Sequence, residues 1–82
     1  MEHIIELSLQ EGPLGVRIEN SSEHLVASVV DGSLADKSGV LPGDRLCAVG
    51  KTEVYGLDHD AAIELVISSP RPVHLVFRRV GG

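Results

Sequence analysis

The sequence has little aromatic character and no long hydrophobic run. Its aromatic residues are one tyrosine, Tyr55, and one phenylalanine, Phe77, and tryptophan is absent. Bases and flavins are often held by stacking on aromatic side chains, and this chain has almost no such platform. No apolar run approaches the roughly 18 residues that a transmembrane helix requires. The composition therefore excludes a membrane-spanning helix and predicts an aliphatic core.

Cysteine and basic residues are also scarce. Cys47 is the single cysteine, so no disulfide can form within the chain, and we expect its side chain to be buried in a strand. Twelve acidic side chains outnumber seven basic ones and give a net charge of −5, which opposes binding to nucleic acid and to anionic membranes. The start of the chain lacks the basic segment of a signal peptide. We therefore expect a cytoplasmic protein that reaches the membrane periphery only through its partners, without direct insertion.

What remains is the composition of an ordinary globular domain. Apolar residues make up 43% of the chain and charged residues 23%. A chain of this length buries only about 60–65% of its surface on folding, which leaves room for one hydrophobic core. We expect a single domain over residues 1–82 whose functional site borders that core.

Alternating apolar residues and turn residues predict a mostly β chain with two helices. The strands are expected at about 3–9, 14–19, 25–30, 45–49, 52–54 and 73–79, and the helices at about 33–38 and 58–69. Ser33 and Asp58 are the expected N-caps, and Gly39 is the expected end of the short helix. Pro70 and Pro72 prevent the longer helix from continuing.

One candidate binding feature is the loop that leads into the second strand. Gly15 lies there between Leu14 and Val16, and glycine permits a positive φ and the close approach of another chain. Successive backbone N–H groups in such a loop can point at one spot and bind an anion. The alternative is that this glycine only turns the corner of a hairpin.

A second candidate feature is the amphipathic helix that follows Asp58. If Asp58 is the cap, then Ala62, Ile63 and Val66 fall on the face that adjoins His59. Two alternatives remain open: His59 is an ordinary surface histidine, or the register differs by one residue and Asp58 takes its place on this face.

Three segments together resemble a PDZ domain. Pro13-Leu14-Gly15-Val16 is similar to the family's carboxylate-binding loop, in which a variable residue and an apolar one precede glycine and another apolar residue. The stretch at 33–46, Ser-Leu-Ala-Asp-Lys-Ser-Gly-Val-Leu-Pro-Gly-Asp-Arg-Leu, resembles the family's signature, and residues 58–66 resemble its peptide-facing helix. The resemblance implies an α+β, mostly β fold: a partly opened antiparallel β-sandwich or barrel of five to six strands, capped by one short and one longer helix.

The resemblance also implies a function in protein interaction. A partner's C-terminal peptide would lie as an added strand between the strand at 14–19 and the helix at 58–69, a scaffolding role in signalling. The backbone amides of the loop would hold the peptide carboxylate; they belong to Leu14, Gly15 and Val16. The groove and pocket would be formed by Ile18, His59, Ile63 and Val66. Arg17 and Ser28 are the expected contacts to peptide side chains.

The resemblance further implies which peptide is preferred. A histidine at the start of the peptide-facing helix favours Ser or Thr two places before the end, so His59 predicts the sequence Ser/Thr-x-aliphatic at a free C-terminus. If Asp58 is the groove residue, a hydrogen-bond donor is favoured there instead. In many members of the family a basic residue shortly before this loop helps to bind the peptide carboxylate. This chain has Glu11 in that region, so the backbone amides are expected to supply more of the carboxylate binding. Ile67 stands where the family often has Lys, and an exposed isoleucine there either extends the hydrophobic rim or marks a partner surface.

The sequence does not support catalysis. The histidines fall on different predicted elements without the short spacings of metal ligands; they are His3, His24, His59 and His74. No nucleophile motif accompanies them. We expect no catalytic residue, metal or cofactor. The second hypothesis is a structural or oligomerising domain with an occluded groove or an internal ligand, and a regulatory domain of a larger enzyme is also compatible with the sequence.

Overall fold

The computed structural model describes residues 2–10, 12, 14–19 and 23–80. Glu11 and Pro13, which the sequence analysis placed in the carboxylate-binding region, lie outside the described residues. The strands are β1 (Glu2–Leu9), β2 (Val16–Ile18), β3 (Val26–Val29), β4 (Arg45–Val49), β5 (Thr52–Glu53) and β6 (Val73–Val80). The helices are α1 (Leu34–Ser38), between β3 and β4, and α2 (His59–Ser68), between β5 and β6.

The predicted order of elements is the order found, with corrections at the ends of several elements. The strand expected at 14–19 is shorter, because Gly15 has a φ of +88° that interrupts the extended backbone before Val16. The strand expected at 52–54 ends at Glu53. The helices begin one residue later than expected, because Ser33 and Asp58 are extended N-caps rather than helical residues.

The strands form two antiparallel sheets. One has four strands in the order β1-β6-β4-β5, and the other pairs β2 with β3. The sheets are joined where β3 meets the start of β4: the N–H of Val26 donates to the carbonyl of Asp44 at 2.7 Å, and the N–H of Leu46 donates to the carbonyl of His24 at 3.0 Å. The result is the expected mostly β, partly opened antiparallel architecture with two helices.

The core is aliphatic apart from one aromatic ring. Phe77 and Leu75 on β6 are fully buried, and the alternate residues of β1 pack against the same side of the sheet. Helix α2 contributes Ala62, which is buried, while its half-buried Leu65 and Val66 pack against the core. Because α2 inserts only one small residue deeply, its remaining apolar side chains border a space between the helix and the smaller sheet.

The turn chemistry that positions α1 and β4 follows the sequence. Ser33 accepts a hydrogen bond from the N–H of Asp36, and Gly39 ends α1 in the left-handed conformation at φ 93°. The N–H of Asp44 donates to the carbonyl of Leu41 at 3.1 Å, which closes the predicted turn. These local bonds fix where β4 starts.

Cys47 is less buried than predicted. Its side chain is half-buried, because β4 has a register shift between Leu46 and Ala48 that places Cys47 between the two regular pairing positions. Its Sγ lies 3.6 Å from the carbonyl oxygen of Arg45. Within the part of the chain that the structure describes, no helix has the length and apolar character needed to cross a membrane.

Candidate functional site

An apolar groove lies between β2 and α2. Its volume is about 210 Å³. It is lined by Leu14, Gly15, Val16, Ile18, Leu46, Ile63, Val66 and Ile67. The loop before β2 closes one end, and the side chains of α2 form the opposite wall.

Most of the predicted site residues meet in this groove. The structure brings together the loop and strand residues with two residues of α2; they are Leu14, Gly15, Val16, Ile18, Ile63 and Val66. His59 does not line this cavity: it is the first residue of α2 and is half-buried. Arg17 and Ser28 lie directly opposite each other on β2 and β3, and both are exposed.

Leu46 is a groove residue that the sequence analysis missed. It lies on β4, is 98% buried, and borders the groove from below. No local pattern connects residue 46 with residues 14–18, because their proximity depends on the junction between β3 and β4. Ile67 was predicted to extend the rim; it lines the groove and leaves 66% of its surface exposed.

The carbonyl groups of the loop are held by neighbouring elements. The carbonyl of Leu14 accepts from the N–H of Ala35 at 3.2 Å, and the carbonyl of Gly15 accepts from the N–H of Val30 at 2.8 Å. These two bonds tie the loop to α1 and to the end of β3. They fix the backbone whose N–H groups the sequence analysis assigned to anion binding.

Gly15 is required at its position for two reasons. Its φ of +88° lies in the left-handed region, which side chains other than glycine adopt at a cost. A Cβ built on Gly15 would also lie 2.5 Å from Oγ of Ser33, the cap of α1. The loop and α1 therefore pack too closely for any side chain here.

One edge of β2 is open. The carbonyl of Gly15 and the N–H of Glu19, which donates to the carbonyl of Leu25 at 2.8 Å, face β3. Polar groups alternate in direction along a strand, so those of Val16 and Ile18 face away from β3 and toward the groove. In the part of the chain that the structure describes, β2 has no other strand neighbour.

Helix α2 presents His59 at its N-terminal end. The N–H of Ala61 donates to Oδ1 of Asp58 at 2.8 Å, so the Asp58 carboxylate is engaged as the cap. Nδ1 of His59 is buried and has no hydrogen-bond partner among the described residues. The cap thus uses the Asp58 side chain, while the imidazole retains an unused polar atom.

The start of β4 is fixed by an ion pair between the buried Asp44 and the partly exposed Arg79. Asp44 is 1% exposed and accepts from Nε and Nη2 of Arg79, both at 2.8 Å, and from the N–H of Leu41 at 2.8 Å. Burial alone would raise the pKa of Asp44, but the hydrogen bonds from Arg79 and Leu41 and the charge of Arg79 outweigh it and hold that pKa below its ordinary value. The hydrogen bond to Asp44 raises the pKa of Arg79.

Among the residues that the structure describes, those lining the groove include no ionisable side chain. Within the described ranges, no group of three or more His, Cys, Asp or Glu side chains is arranged to hold a metal ion. What the groove offers chemically is an apolar surface, an open strand edge and backbone N–H groups. This combination suits an extended polypeptide.

Comparison with known proteins agrees with this geometry. The family model of the PDZ domain matches residues 25–79, more than half of the chain. Human protein lin-7 homolog B is 34% identical over 80 residues, which cover 92% of this chain and 39% of that protein. Human tyrosine-protein phosphatase non-receptor type 13 is 44% identical over 52 residues, which cover 62% of this chain and 2% of that protein. The chain thus spans less than half the length of these curated relatives.

Solved structures share the fold. The PDZ domain of choanoflagellate SHANK1 bound to a GIRK3 peptide superposes with a TM-score of 0.83 at 21% identity, covering 99% of this chain and 97% of that one. The third PDZ domain of INAD in complex with a TRP channel tail gives a TM-score of 0.76 at 23% identity, covering 93% and 84%. Given the family match over residues 25–79, more than half of its length, this chain belongs to the PDZ domain family of peptide-binding interaction modules.

Proposed function

We propose that this domain binds the extreme C-terminus of a partner protein, which adds as an antiparallel strand between β2 and α2. The observation that carries the proposal is the open edge of β2 beside an apolar groove: the polar groups of Val16 and Ile18 face away from β3 and toward α2. An added strand takes its affinity from main-chain hydrogen bonds and its specificity from alternate side-chain pockets.

The peptide carboxylate is assigned to the loop at the closed end of the groove. Its donors are the N–H groups of Leu14, Gly15 and Val16. The glycine conformation and the bonds that hold the loop carbonyls support this assignment, since they pre-organise the backbone before a ligand arrives. The described lining residues of the groove carry no ionisable side chain, which is consistent with backbone donors there.

The last peptide side chain is assigned to the apolar space between β2 and α2. Its walls are aliphatic, and Leu46 closes the bottom. A volume of about 210 Å³ exceeds the 150 Å³ or so of a cavity that accepts benzene. An aliphatic C-terminal residue is therefore the preferred occupant.

The side chain two places earlier is assigned to His59. Residues two places apart in an extended peptide are separated by about 6.6 Å. The side chain two places before the peptide end therefore lies away from the pocket, toward the start of α2. The ring of His59 is half-buried at the start of α2, and an imidazole nitrogen can form a hydrogen bond with a Ser or Thr hydroxyl. Asp58 is the less suitable groove residue, since its carboxylate already caps the helix.

Two exposed residues are assigned to peptide side chains that point away from the pocket. Arg17 and Ser28 are opposite each other on β2 and β3, on the solvent side of the smaller sheet. Opposite residues of an antiparallel pair share a face. An acidic peptide side chain that reaches this face would meet the Arg17 guanidinium.

The relatives suggest the kind of partner. INAD and SHANK1 are described in complex with a TRP channel tail and a GIRK3 peptide, respectively. By analogy we assign the tail of a membrane receptor or channel as the ligand class, which would place the domain in the cytoplasm at the membrane periphery. A regulatory domain within a larger enzyme, as the phosphatase relative illustrates, is compatible with the same binding function.

The experiment compares two forms of one peptide ending in Thr-x-Val, one with a free carboxylate and one amidated at its C-terminus. We expect micromolar binding of the free form, about −8 kcal/mol at roughly 1 μM, and a loss of at least about tenfold on amidation because charge-assisted hydrogen bonds disappear. Equal affinities would contradict carboxylate recognition. Binding of neither form would favour the structural or oligomerising alternative.

A further inference from the structure

The connection between α2 and β6 contains a serine followed directly by proline. Ser69 is the one serine or threonine in the sequence that precedes a proline, Pro70. It stands at the end of α2 in an extended conformation, with φ −69° and ψ 141°. Ser69 is half-buried, while its neighbours Ser68 and residues 70–72 are exposed. The segment therefore presents an extended Ser-Pro pair at the surface of the molecule.

The side chain of Ser69 helps to hold the last turn of α2. Its Oγ donates to the carbonyl of Leu65 at 2.5 Å, and its N–H donates to the same carbonyl at 3.1 Å. Ser68 makes a corresponding bond, since its Oγ donates to the carbonyl of Glu64 at 2.7 Å. Within α2, all of which the structure describes, the last turn has no basic residue. The two serine hydroxyls are therefore the side-chain donors that the helix itself supplies to the carbonyl groups at this end.

A phosphoryl group on Ser69 would turn this attraction into repulsion. Phosphorylation removes the hydroxyl proton, so the ester oxygen could no longer donate to the carbonyl of Leu65. It would also add a charge of about −1.5 to −2 at pH 7. That charge would lie at the C-terminal end of α2, which is the negative end of the helix dipole. Both changes would destabilise the last turn of the helix.

The last turn of α2 is also a wall of the peptide groove. Val66 and Ile67 line the same cavity as Leu14 and Gly15, which belong to the loop assigned to the peptide carboxylate. Ser69 follows Ile67 by two residues, or about 3 Å along a helix axis. A phosphate at this end of α2 would oppose an anion held by the loop, and the repulsion would weaken as salt is added.

The charges around Ser69 would not offset this effect. Arg71 is the basic residue closest to it in the sequence, and the Arg71 side chain is exposed. An ion pair between exposed groups contributes little, because water solvates both partners. One exposed arginine also differs from the arginine clusters on which a phosphate can order a segment. A phosphate on Ser69 would therefore disturb the end of α2 rather than fix it.

We propose that Ser69 is a phosphorylation site for a proline-directed kinase, and that its modification weakens peptide binding. The kinase transfers the γ-phosphoryl group of ATP. A bond forms between Oγ of Ser69 and the γ-phosphorus, the bond from that phosphorus to the oxygen of ADP breaks, and the hydroxyl proton is released. Kinases of this class require proline directly after the serine, which Pro70 provides. The effect on peptide binding rests on the proposed function, whereas the modification of Ser69 does not.

The first test treats the whole chain with ATP and a proline-directed serine kinase and locates phosphoryl groups by mass spectrometry. We expect one group, on Ser69, and none in Ser69→Ala or Pro70→Ala. Ser68→Ala, which removes the neighbouring hydroxyl at the helix end, should be modified like the natural sequence. Thermal unfolding before treatment shows that each variant is folded. No transfer to Ser69 in the natural sequence, or equal transfer in Pro70→Ala, would overturn the assignment of the site.

The second test titrates the free Thr-x-Val peptide into the unmodified and the phosphorylated protein. We expect phosphorylation to weaken binding by about three- to tenfold, with a larger loss at low salt than at high salt. Ser69→Ala should bind equally before and after kinase treatment. Equal affinities of the two forms of the natural sequence would overturn the effect on the groove. Failure of the unmodified protein to bind would instead contradict the proposed function, and the mass measurement would still decide whether Ser69 is the site.

Discussion

Single residues decide the shape of the loop that we assign to the carboxylate. Gly15 combines a left-handed backbone with a contact to Ser33 that no Cβ could tolerate. The two constraints act together, because the same bend that leads the chain into β2 brings Gly15 against the cap of α1. Gly15 therefore contributes to the proposed site because it has no side chain.

Gly15→Ala should destabilise the domain by more than Gly12→Ala. Both glycines have a positive φ, +88° and +97°, and the backbone strain costs about 1–2 kcal/mol in each. Only at Gly15 would the new Cβ also meet Ser33, since apart from its chain neighbours no described residue lies within 4 Å of one at Gly12. Chemical denaturation measures the difference. Equal losses for the two variants would show that the contact with Ser33 relaxes freely.

His59→Ala should alter the preference among peptides. We expect weaker binding of a peptide with Thr two places before the end, by about tenfold or less, since one neutral hydrogen bond contributes about 0.5–1.5 kcal/mol. A matched peptide with Val at that place has no such bond to lose. Fluorescence titration of the Thr and Val peptides against the natural protein and the His59→Ala variant measures how far the loss of His59 changes the preference for Thr. No difference between the peptides would remove His59 from the site.

Asp44 carries the acid sensitivity that the structure predicts. Its lowered pKa means that the unfolded chain takes up a proton before the folded protein does. The stability contributed by the carboxylate is therefore present above its ordinary pKa of 3.8 and is lost as the pH falls below that value. Acid favours unfolding in that window.

Asp44→Asn should lower stability at neutral pH by about 1.5–3 kcal/mol, because charged hydrogen bonds to Arg79 are lost. Its stability should also depend less on pH below 4 than that of the natural sequence. Thermal unfolding between about pH 2 and pH 7 measures both effects. Asp60→Asn, at an exposed position of α2, is the control that changes charge alone. A parallel pH dependence in Asp44→Asn and the natural sequence would contradict the assignment.

At the scale of elements, α2 has to serve the core and the groove at once. Ala62 is its buried anchor, while Ile63, Val66 and Ile67 line the groove. Because only this one small residue anchors α2 in the core, the position of the helix depends largely on how its ends are held. Asp58 therefore matters for where His59 lies, through the bond from the N–H of Ala61.

Asp58→Ala should lower stability by about 1 kcal/mol, within the 0.5–2 kcal/mol usual for lost N-caps. Asp60→Ala removes an equal charge from the same turn without removing the cap, so it should cost less. The preference for Thr over Val two places before the peptide end should survive in Asp58→Ala. Loss of that preference in this variant, with Asp60→Ala unaffected, would show that Asp58 is the groove residue.

At the scale of the whole molecule, the proposed site lies at the edge of the core. The buried cluster ends at Leu46, which packs inward and also closes the bottom of the groove. The half-buried Leu14, Val16 and Ile18 pack against the same cluster. Binding a partner's last side chain would therefore extend the core rather than fill a separate chamber, which is how a chain of 82 residues can carry a binding site.

Local sequence patterns were enough to predict the order of elements, the caps at Ser33 and Asp58, and the left-handed end of α1 at Gly39. They could not identify Leu46 as a groove residue or the burial of His24, because both depend on how β3 meets β4. The register shift that leaves Cys47 half-buried is likewise a property of pairing between distant strands. Local chemistry fixes elements and their ends, whereas long-range pairing decides which side chains share a cavity.

The most direct test of carboxylate binding by strand addition is an NMR titration with a free C-terminal Thr-x-Val peptide. The account predicts that the largest amide shifts fall at Leu14, Gly15, Val16 and Ile18, with smaller ones along α2, because those N–H groups are the proposed donors. The same peptide amidated at its C-terminus should leave the loop signals nearly unmoved. Shifts confined to another face of the domain, with residues 14–18 unchanged, would contradict the account.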